Sequence, residues 1–265
     1  MYAFEYRRPT SLVEVSNVLM AAPDAKVLAG GQTLIPTMKS RLARPSVLVE
    51  LSGLPELKKI ATEPGHLTIG AMVTHSAVAE SVQVRRTLPG LMQLADHIGD
   101  QHVRHRGTIG GSVANNDPAA DYPAALLALN ATVHTNKRAI SADAFFTGLF
   151  STALDETEVI TSVRFPKPLR FAYAKFPNPA SRYAMVGVAI ARQSDGVRVA
   201  VTGAGQNGVF RVPEMEQALT SDLSVDAVKA ISLDTAELNT DIHGSADYRA
   251  HLICVLAKRA IEAIK

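Results

Sequence analysis

The chain has 265 residues, 47% of them hydrophobic, and 27 lysines and arginines stand against 25 acidic residues. That length and apolar content suit a folded chain with a sizeable core and exclude a disordered one, and the scattered, balanced charge offers no dedicated nucleic-acid surface. The single cysteine, Cys254, rules out an intrachain disulfide, an iron–sulfur cluster and a cysteine-rich zinc site.

The opening "MYAFEYRRPTSLVEV" has no apolar signal core, and no apolar run approaches the roughly 20 residues of a membrane helix, so a soluble, cytoplasmic protein without membrane insertion is expected. Ser11 to Ala22 reads as a helix: Ser11 and Glu14 have capping-box spacing, and Leu12, Val15, Val18 and Leu19 share a face. "KVLAGG" is a short strand ending in glycines, "TLIPTMKSRL" a helical or turn segment, and "SVLVEL" a further strand. "KKIATEPGHLTIGAMVT" predicts a hairpin about Pro64-Gly65. "THSAVAES", "LPGLMQLADHIG" and "YPAALLALN" predict helices, "ATVHTNKRAIS" a hairpin, "ADAFFTGLF" a short helix, and "EVITSVRFPKP" a strand stopped by prolines. Beyond Pro166 to Arg170, "FAYAKF", "AMVGVAIARQ" and "VRVAVTGAG" read as three antiparallel strands with a turn at Asp195-Gly196. The remainder reads as helical. Its last helix spans Asp247 to Lys265 and is marked by Tyr248, Leu252, Val255, Leu256 and Ile261. The fold class is therefore α+β, with units 1–54, 55–167 and 168–265.

Two glycine pairs carry candidate chemistry, "LAGGQTLIP" and "TIGGSVANN". Glycine turns let backbone approach a ligand, and successive free N–H groups can converge on an anion. Gln32, Thr33, Thr108 and Ser112 add side-chain donors, so a diphosphate fits between two such loops; the alternative is two ordinary glycine turns. Neither is a Walker loop, because "GGQTLIPTMK" lacks the Gly-Lys-Ser/Thr ending. "GAGQNG" at 203–208 matches a dinucleotide fingerprint, but "VFRVPEM" follows and Pro213 delays any helix, so a hairpin or loop reading wins. "DHIGDQHVRHR" holds His97, His102 and His105 among arginines and reads as a polar loop rather than a metal site, with Arg104 and Arg106 able to offset a ligand's negative charge. Cys254 reads as part of a packed helix face. No Ser-His-Asp order and no motif of paired carboxylates is present.

"LAGGQTLIPTMKSRLARP", "RHRGTIGGSVANNDPAADYPAALLAL" and "DYRAHLICVLAKRAI" together resemble the FAD-binding medium subunit of molybdenum hydroxylases, essentially end to end. The resemblance implies a vanillyl-alcohol-oxidase (PCMH)-type FAD domain of two subdomains, followed by a C-terminal domain. It implies FAD extended between them. Ala29, Gly30, Gly31, Gln32, Thr33 and Leu34 would wrap the diphosphate from one side, and Thr108, Ile109, Gly110, Gly111 and Ser112 from the other. Asp121 matches an aspartate that hydrogen-bonds the ribityl or diphosphate end. Ile98 matches a position packed on the flavin nucleotide, Ile160 a backbone contact to the ring, Lys175 a lysine near the isoalloxazine, and Tyr183 a tyrosine covering one flavin face.

Two departures stand out. Asn115 sits where related sequences usually carry His; it keeps hydrogen-bonding capacity but cannot titrate near neutrality. "TGAGQNGVFRVPEMEQAL" is looser than the family pattern, which bears on the C-terminal surface. The resemblance also implies a division of labour. A large partner subunit carries a molybdenum cofactor and the substrate site, and a small one carries two [2Fe–2S] clusters. The present chain would pass their electrons through FAD to an external acceptor, within a dimer of heterotrimers. The alternatives are a stand-alone FAD oxidoreductase of the same fold and a binding module that has lost its flavin.

Overall fold

The computed structural model describes residues 1–264, and its N-terminal strands pair in parallel. β1 (Glu5–Arg7), β2 (Lys26–Leu28) and β3 (Val47–Glu50) lie in the order β1-β3-β2. Parallel neighbours need crossovers. Helix α1 (Leu12–Ala21) joins β1 to β2, and the short helix α2 (Leu34–Lys39) lies between β2 and β3. The Ser11 hydroxyl accepts the Glu14 N–H at 3.2 Å, while the Glu14 carboxylate reaches back to the Thr10 N–H at 2.8 Å. Val15 and Leu19 of α1 pack with Val47 and Val49 of β3 in a small core. β1 is absent from the sequence-based reading because its residues are all exposed and carry no apolar alternation.

The second unit begins with the hairpin β4 (Ile60–Glu63) and β5 (His66–Gly70). Six helices follow: α3 (His75–Glu80), α4 (Val82–Thr87), α5 (Pro89–Asp96), α6 (Gln101–Arg106), α7 (Ile109–Asn115) and α8 (Tyr122–Ala128). The chain then forms β6 (Thr132–Thr135), β7 (Ala139–Ser141), α9 (Ala142–Phe145), the small hairpin β8 (Phe146–Gly148) and β9 (Ser151–Thr152), and β10 (Ile160–Pro166). Its main sheet runs β4-β5-β10-β6-β7.

Three expectations change here. The histidine-rich segment is helical, not a loop, because Asp100 caps α6 through the Val103 N–H at 2.9 Å. Gly110 and Gly111 form the first turn of α7 rather than a glycine turn, since Thr108 caps that helix through the Gly111 N–H. The helix expected over "ADAFFTGLF" stops at Phe145, and the chain turns back as β8 and β9 with Phe150 at φ 50°. Asn116 holds that turn: its amide donates to the Gly148 and Ser151 carbonyls, each at 2.8 Å.

The third unit is the antiparallel sheet β11 (Arg170–Pro177), β12 (Ala184–Gln193), β13 (Gly196–Thr202) and β14 (Phe210–Arg211). Both of its faces are covered. Val186, Val188, Ile190, Val199 and Val201 pack under α10 (Pro213–Ser221) and α11 (Ala246–Ala263). Ala189, Ala191 and Ala200 face the second unit, where small side chains let the wholly buried α8 lie close. "GAGQNG" ends β13 and loops to β14, with no helix before Pro213. Residues 222–245 hold only one 3₁₀ turn, Asp226–Val228, where more helix was expected; Asp, Ser, Thr, Asn and Gly favour turns there. α11 buries Arg249, Leu252, Ile253, Leu256, Ala257, Ala260 and Ile261, so Tyr248 and Val255 lie off the packed stripe. Lys265, the last residue of that expected helix, lies outside the described residues. Cys254 is half-buried on the same helix. Among the described residues, no helix is long and apolar enough to cross a membrane.

Two buried charges join elements. Arg249 donates to the Met185 and Gly203 carbonyls, at 2.7 and 3.0 Å, and to Asp241 at 2.7 Å. Arg249→Ala leaves those acceptors unmet and should cost about 3 kcal/mol of unfolding free energy, read from urea denaturation. Glu158 accepts from Arg138 at 3.0 and 2.9 Å, from Thr135 at 2.6 Å and from the Asp155 N–H at 3.0 Å. The Arg138 guanidinium bonds, foremost, hold its carboxyl down at about 2. Because the folded state depresses this value, its contribution is complete above the ordinary carboxylate range and is lost as pH falls towards 2. Glu158→Gln should therefore flatten the fall in stability between about pH 5 and pH 2 in a denaturation series.

Candidate cofactor-binding cleft

The first glycine loop leaves β2 and enters α2 with its backbone donors unspent. The N–H groups of Gly30, Gly31, Gln32, Thr33 and Leu34 have no acceptor among the described residues. Gly31 adopts φ 73°, which turns the chain so that these donors follow one another. Five successive free donors form a ready anion site. The second loop differs. The Ile109 N–H goes to the Val73 carbonyl, that of Gly110 to Ala71, that of Gly111 to the Thr108 hydroxyl, and that of Ser112 to the Thr108 carbonyl. The backbone donors from Ile109 to Ser112 are spent, so what this stretch offers a ligand is close approach plus the Ser112 hydroxyl.

The two loops touch rather than face each other across a gap. A Cβ on Gly30 would collide with the Arg106 carbonyl, and a Cβ on Gly111 would lie 3.5 Å from that of Ala29. They form one continuous floor beneath a cleft of about 710 Å³. That volume is in the range of cofactor sites. Along the cleft lie all six residues Ala29 to Leu34, then Ile98, Thr108, Gly110, Gly111, Ser112, Asn115, Asp121, Ile160 and Tyr183. Two expected contacts lie elsewhere. Ile109 is fully buried in the core, because helical phase turns it inward between its cleft-lining neighbours. The Lys175 side chain is 5% exposed and stands behind Asp121, donating to that carboxylate at 2.9 Å and to the His97 carbonyl at 3.1 Å.

Asp121 is anchored at both oxygens, since the Tyr173 hydroxyl donates to the other one at 2.5 Å. Burial pushes the Asp121 carboxyl above the ordinary range, against the pull of Lys175 and of these bonds. Tyr183, 44% exposed, presents its ring at the same end of the cleft. Burial, then the nearby carboxylates Asp117 and Asp121, raise its hydroxyl, which stays protonated at neutral pH.

Of the cleft residues outside the sequence-based reading, three are titratable or aromatic groups of note. Asp117 precedes the proline of the quoted stretch, and burial raises its carboxyl. Phe150 projects from the β8–β9 turn, 60% exposed; a positive φ at a phenylalanine leaves no mark in a sequence. His75 is 4% exposed and its Nδ1 has no partner among the described residues. Burial, aided by the Arg104 charge, holds its ring down at about 4, so it is neutral at pH 7.

These features fit an extended dinucleotide carrying a diphosphate and a flat ring. Free N–H groups suit the diphosphate, Asp121 accepts from hydroxyl or N–H groups, and Tyr183 and Phe150 offer stacking faces. Gly30→Ala should fail at folding, because its methyl meets backbone. Gly111→Leu should lose flavin absorbance, because Gly111 lines the cleft and the added side chain starts 3.0 Å from the capping Thr108 hydroxyl, with unchanged far-UV circular dichroism as the control that the helix still forms. Full flavin retention by Gly111→Leu refutes this assignment of the floor.

Residues 2–168 match the family described as the FAD binding domain in molybdopterin dehydrogenase, and residues 171–264 match the CO dehydrogenase flavoprotein C-terminal domain. The chain is 37% identical over 274 residues to the nicotine 6-hydroxylase medium subunit of Paenarthrobacter nicotinovorans, covering 98% of this chain and 96% of that one. It is 33% identical to the carbon monoxide dehydrogenase medium chain of Hydrogenophaga pseudoflava, over 98% and 96% of the two chains. It also matches the structure of reconstituted CO dehydrogenase from Oligotropha carboxidovorans with a TM-score of 0.92 and 32% identity, over 99% of this chain and 98% of that chain. The architecture is accordingly the PCMH-type FAD-binding fold. Matched along nearly its whole length, the chain belongs to the family of FAD-binding medium subunits of molybdenum hydroxylases.

Proposed function

We propose that this chain is the electron-output subunit of a heteromeric molybdenum hydroxylase. A small partner subunit with two [2Fe–2S] clusters supplies electrons, a large molybdopterin-binding partner carries the substrate site, and the whole is a dimer of heterotrimers in the cytoplasm. The observation that carries this reading is the floor of free N–H groups from Gly30 to Leu34, set in a cleft of dinucleotide size. With Cys254 as its only cysteine, the chain cannot ligate an iron–sulfur cluster itself. Electrons that reach this cleft from an iron–sulfur cluster must therefore come from another chain.

Bound FAD would supply the redox chemistry, exchanging electrons between the iron–sulfur partner and the acceptor. The protein's part is binding and electrostatics. Gly30 to Leu34 would hold the diphosphate, with Ser112 adding a hydroxyl donor. Asp121 would fix a donor group of the cofactor from the wall, and Ile98 and Tyr183 would flank the ring and limit water. In this reading the functional units are 1–54 and 55–167, which share the diphosphate floor, and 168–265, which supplies Tyr183.

The test is purification of the tagged chain from its native cells. Flavin absorbance and two co-purifying chains, one with molybdenum and one with iron–sulfur spectra, are expected. Substrate should bleach the flavin in the complex and leave it unchanged once the partners are removed. A chain that carries FAD and turns over a small substrate alone would establish a stand-alone oxidoreductase instead. No FAD uptake in the assembled complex refutes the proposal.

A further inference from the structure

Asp121 stands on the cleft wall with both carboxylate oxygens engaged from behind, and one strand supplies both partners. Tyr173 and Lys175 are two residues apart on β11, so their side chains leave the same face. The Tyr173 hydroxyl takes one oxygen at 2.5 Å and the Lys175 ammonium the other at 2.9 Å. The neighbouring strand makes room for the phenol. Gly187, the register partner of Lys175, lies where a Cβ would collide with the Tyr173 hydroxyl. A glycine in mid-strand weakens a sheet and here serves no turn. Its missing side chain leaves room for the end of the Tyr173 ring with its hydroxyl and for the Thr202 methyl. Phenylalanine would fill the same ring volume, so packing does not require the hydroxyl.

We infer that Tyr173 is a positioning residue of the cofactor site: together with Lys175 it keeps Asp121 an aimed carboxylate that accepts from a hydroxyl or N–H group of bound FAD. This rests on FAD occupying the cleft. The need for such support is physical. Burial favours the protonated carboxyl, which would present a donor where an acceptor is wanted. The groups facing Asp121 are Tyr173 and Lys175 from β11, His97 at the end of α5, Tyr122 beside it in the chain, and Tyr183 from the loop before β12. Among the described residues, Lys175 and Tyr173 alone donate hydrogen bonds to its side chain.

The experiment titrates the flavin-stripped complex with FAD, following flavin fluorescence, between about pH 5 and pH 9. Removing the Tyr173 hydroxyl raises the pH at which Asp121 takes up a proton, so affinity should be lost on acidification at a higher pH than in wild type. At neutral pH, Tyr173→Phe should bind FAD about tenfold more weakly. Asp121→Asn should bind weakly without that pH step, and adding Tyr173→Phe to it should change nothing more. A Tyr173→Phe complex with wild-type affinity and pH profile overturns the inference and leaves the FAD reading intact. If Tyr173→Phe does not assemble, Asp121→Asn decides: a wild-type profile there overturns the inference. A wild-type complex that takes up no FAD overturns the FAD reading, and this inference with it.

Discussion

One stretch of chain, Arg106 to Pro123, must lie against all three sheets at once, and the rest of the site depends on that. Its beginning abuts the first unit, where Gly30 meets the Arg106 carbonyl without a side chain between them. Its helix α7 sits against the second sheet, with Gly110 pressed on Ala71. Its end is sewn to the third. The Thr202 hydroxyl donates to the Pro118 and Ala120 carbonyls, the Gly203 N–H to Pro118, and the Ala184 N–H to Ala119. Backbone-to-backbone contact of this kind leaves no slack, because packed interiors tolerate few voids and little strain. The stretch is therefore fixed in position before any cofactor binds, and Asp117 and Asp121 are fixed with it.

That arrangement explains why the two glycine motifs, so alike in sequence, do different work. The first loop leaves a strand and keeps its N–H groups free for an anion. The second begins a capped helix and spends them internally. Within each pair the glycines also differ. Gly30 and Gly110 are required by the protein's own backbone, whereas Gly111 lines the cleft and an added Cβ there would meet side chains, the Thr108 hydroxyl and the Ala29 methyl. On the proposed reading a cofactor would meet donors from the first unit, an open surface and an anchored carboxylate from the second, and an aromatic ring from the third. Such a division suits a subunit that binds and orients a redox group while neighbouring chains do the oxidation. His75 beside the cleft is neutral at pH 7, so it brings no charge of its own there.

Much of this was legible in the order of residues. Local signals work where one short segment decides its own state. The Ser11 cap, the Pro64-Gly65 hairpin, and the alternation in "AMVGVAIARQ" and "VRVAVTGAG" each predict an element that the structure contains. "GAGQNG" was likewise readable as a loop, since Pro213 follows too soon. The errors arose where an element owes its state to a distant partner. β1 has no apolar pattern of its own and exists because β3 pairs with it. The turn at Phe150 is held open by Asn116, more than thirty residues away. The partner of Lys175 is likewise invisible until β11 is placed, when it stands behind Asp121.

The sequence by itself determined the fold class, because caps and strand alternation act over a few neighbouring residues, and three of its stretches carried the resemblance to the family. It also excluded an iron–sulfur cluster on this chain, since a single thiol cannot ligate one. Only the tertiary structure decided which N–H groups remain free, which glycines face protein and which face the cleft, and what holds Asp121. Those are questions of which groups from remote parts of the chain have already been paired. Hydrogen-bond pairing and burial are settled in space, between residues whose separation in sequence carries no trace of it.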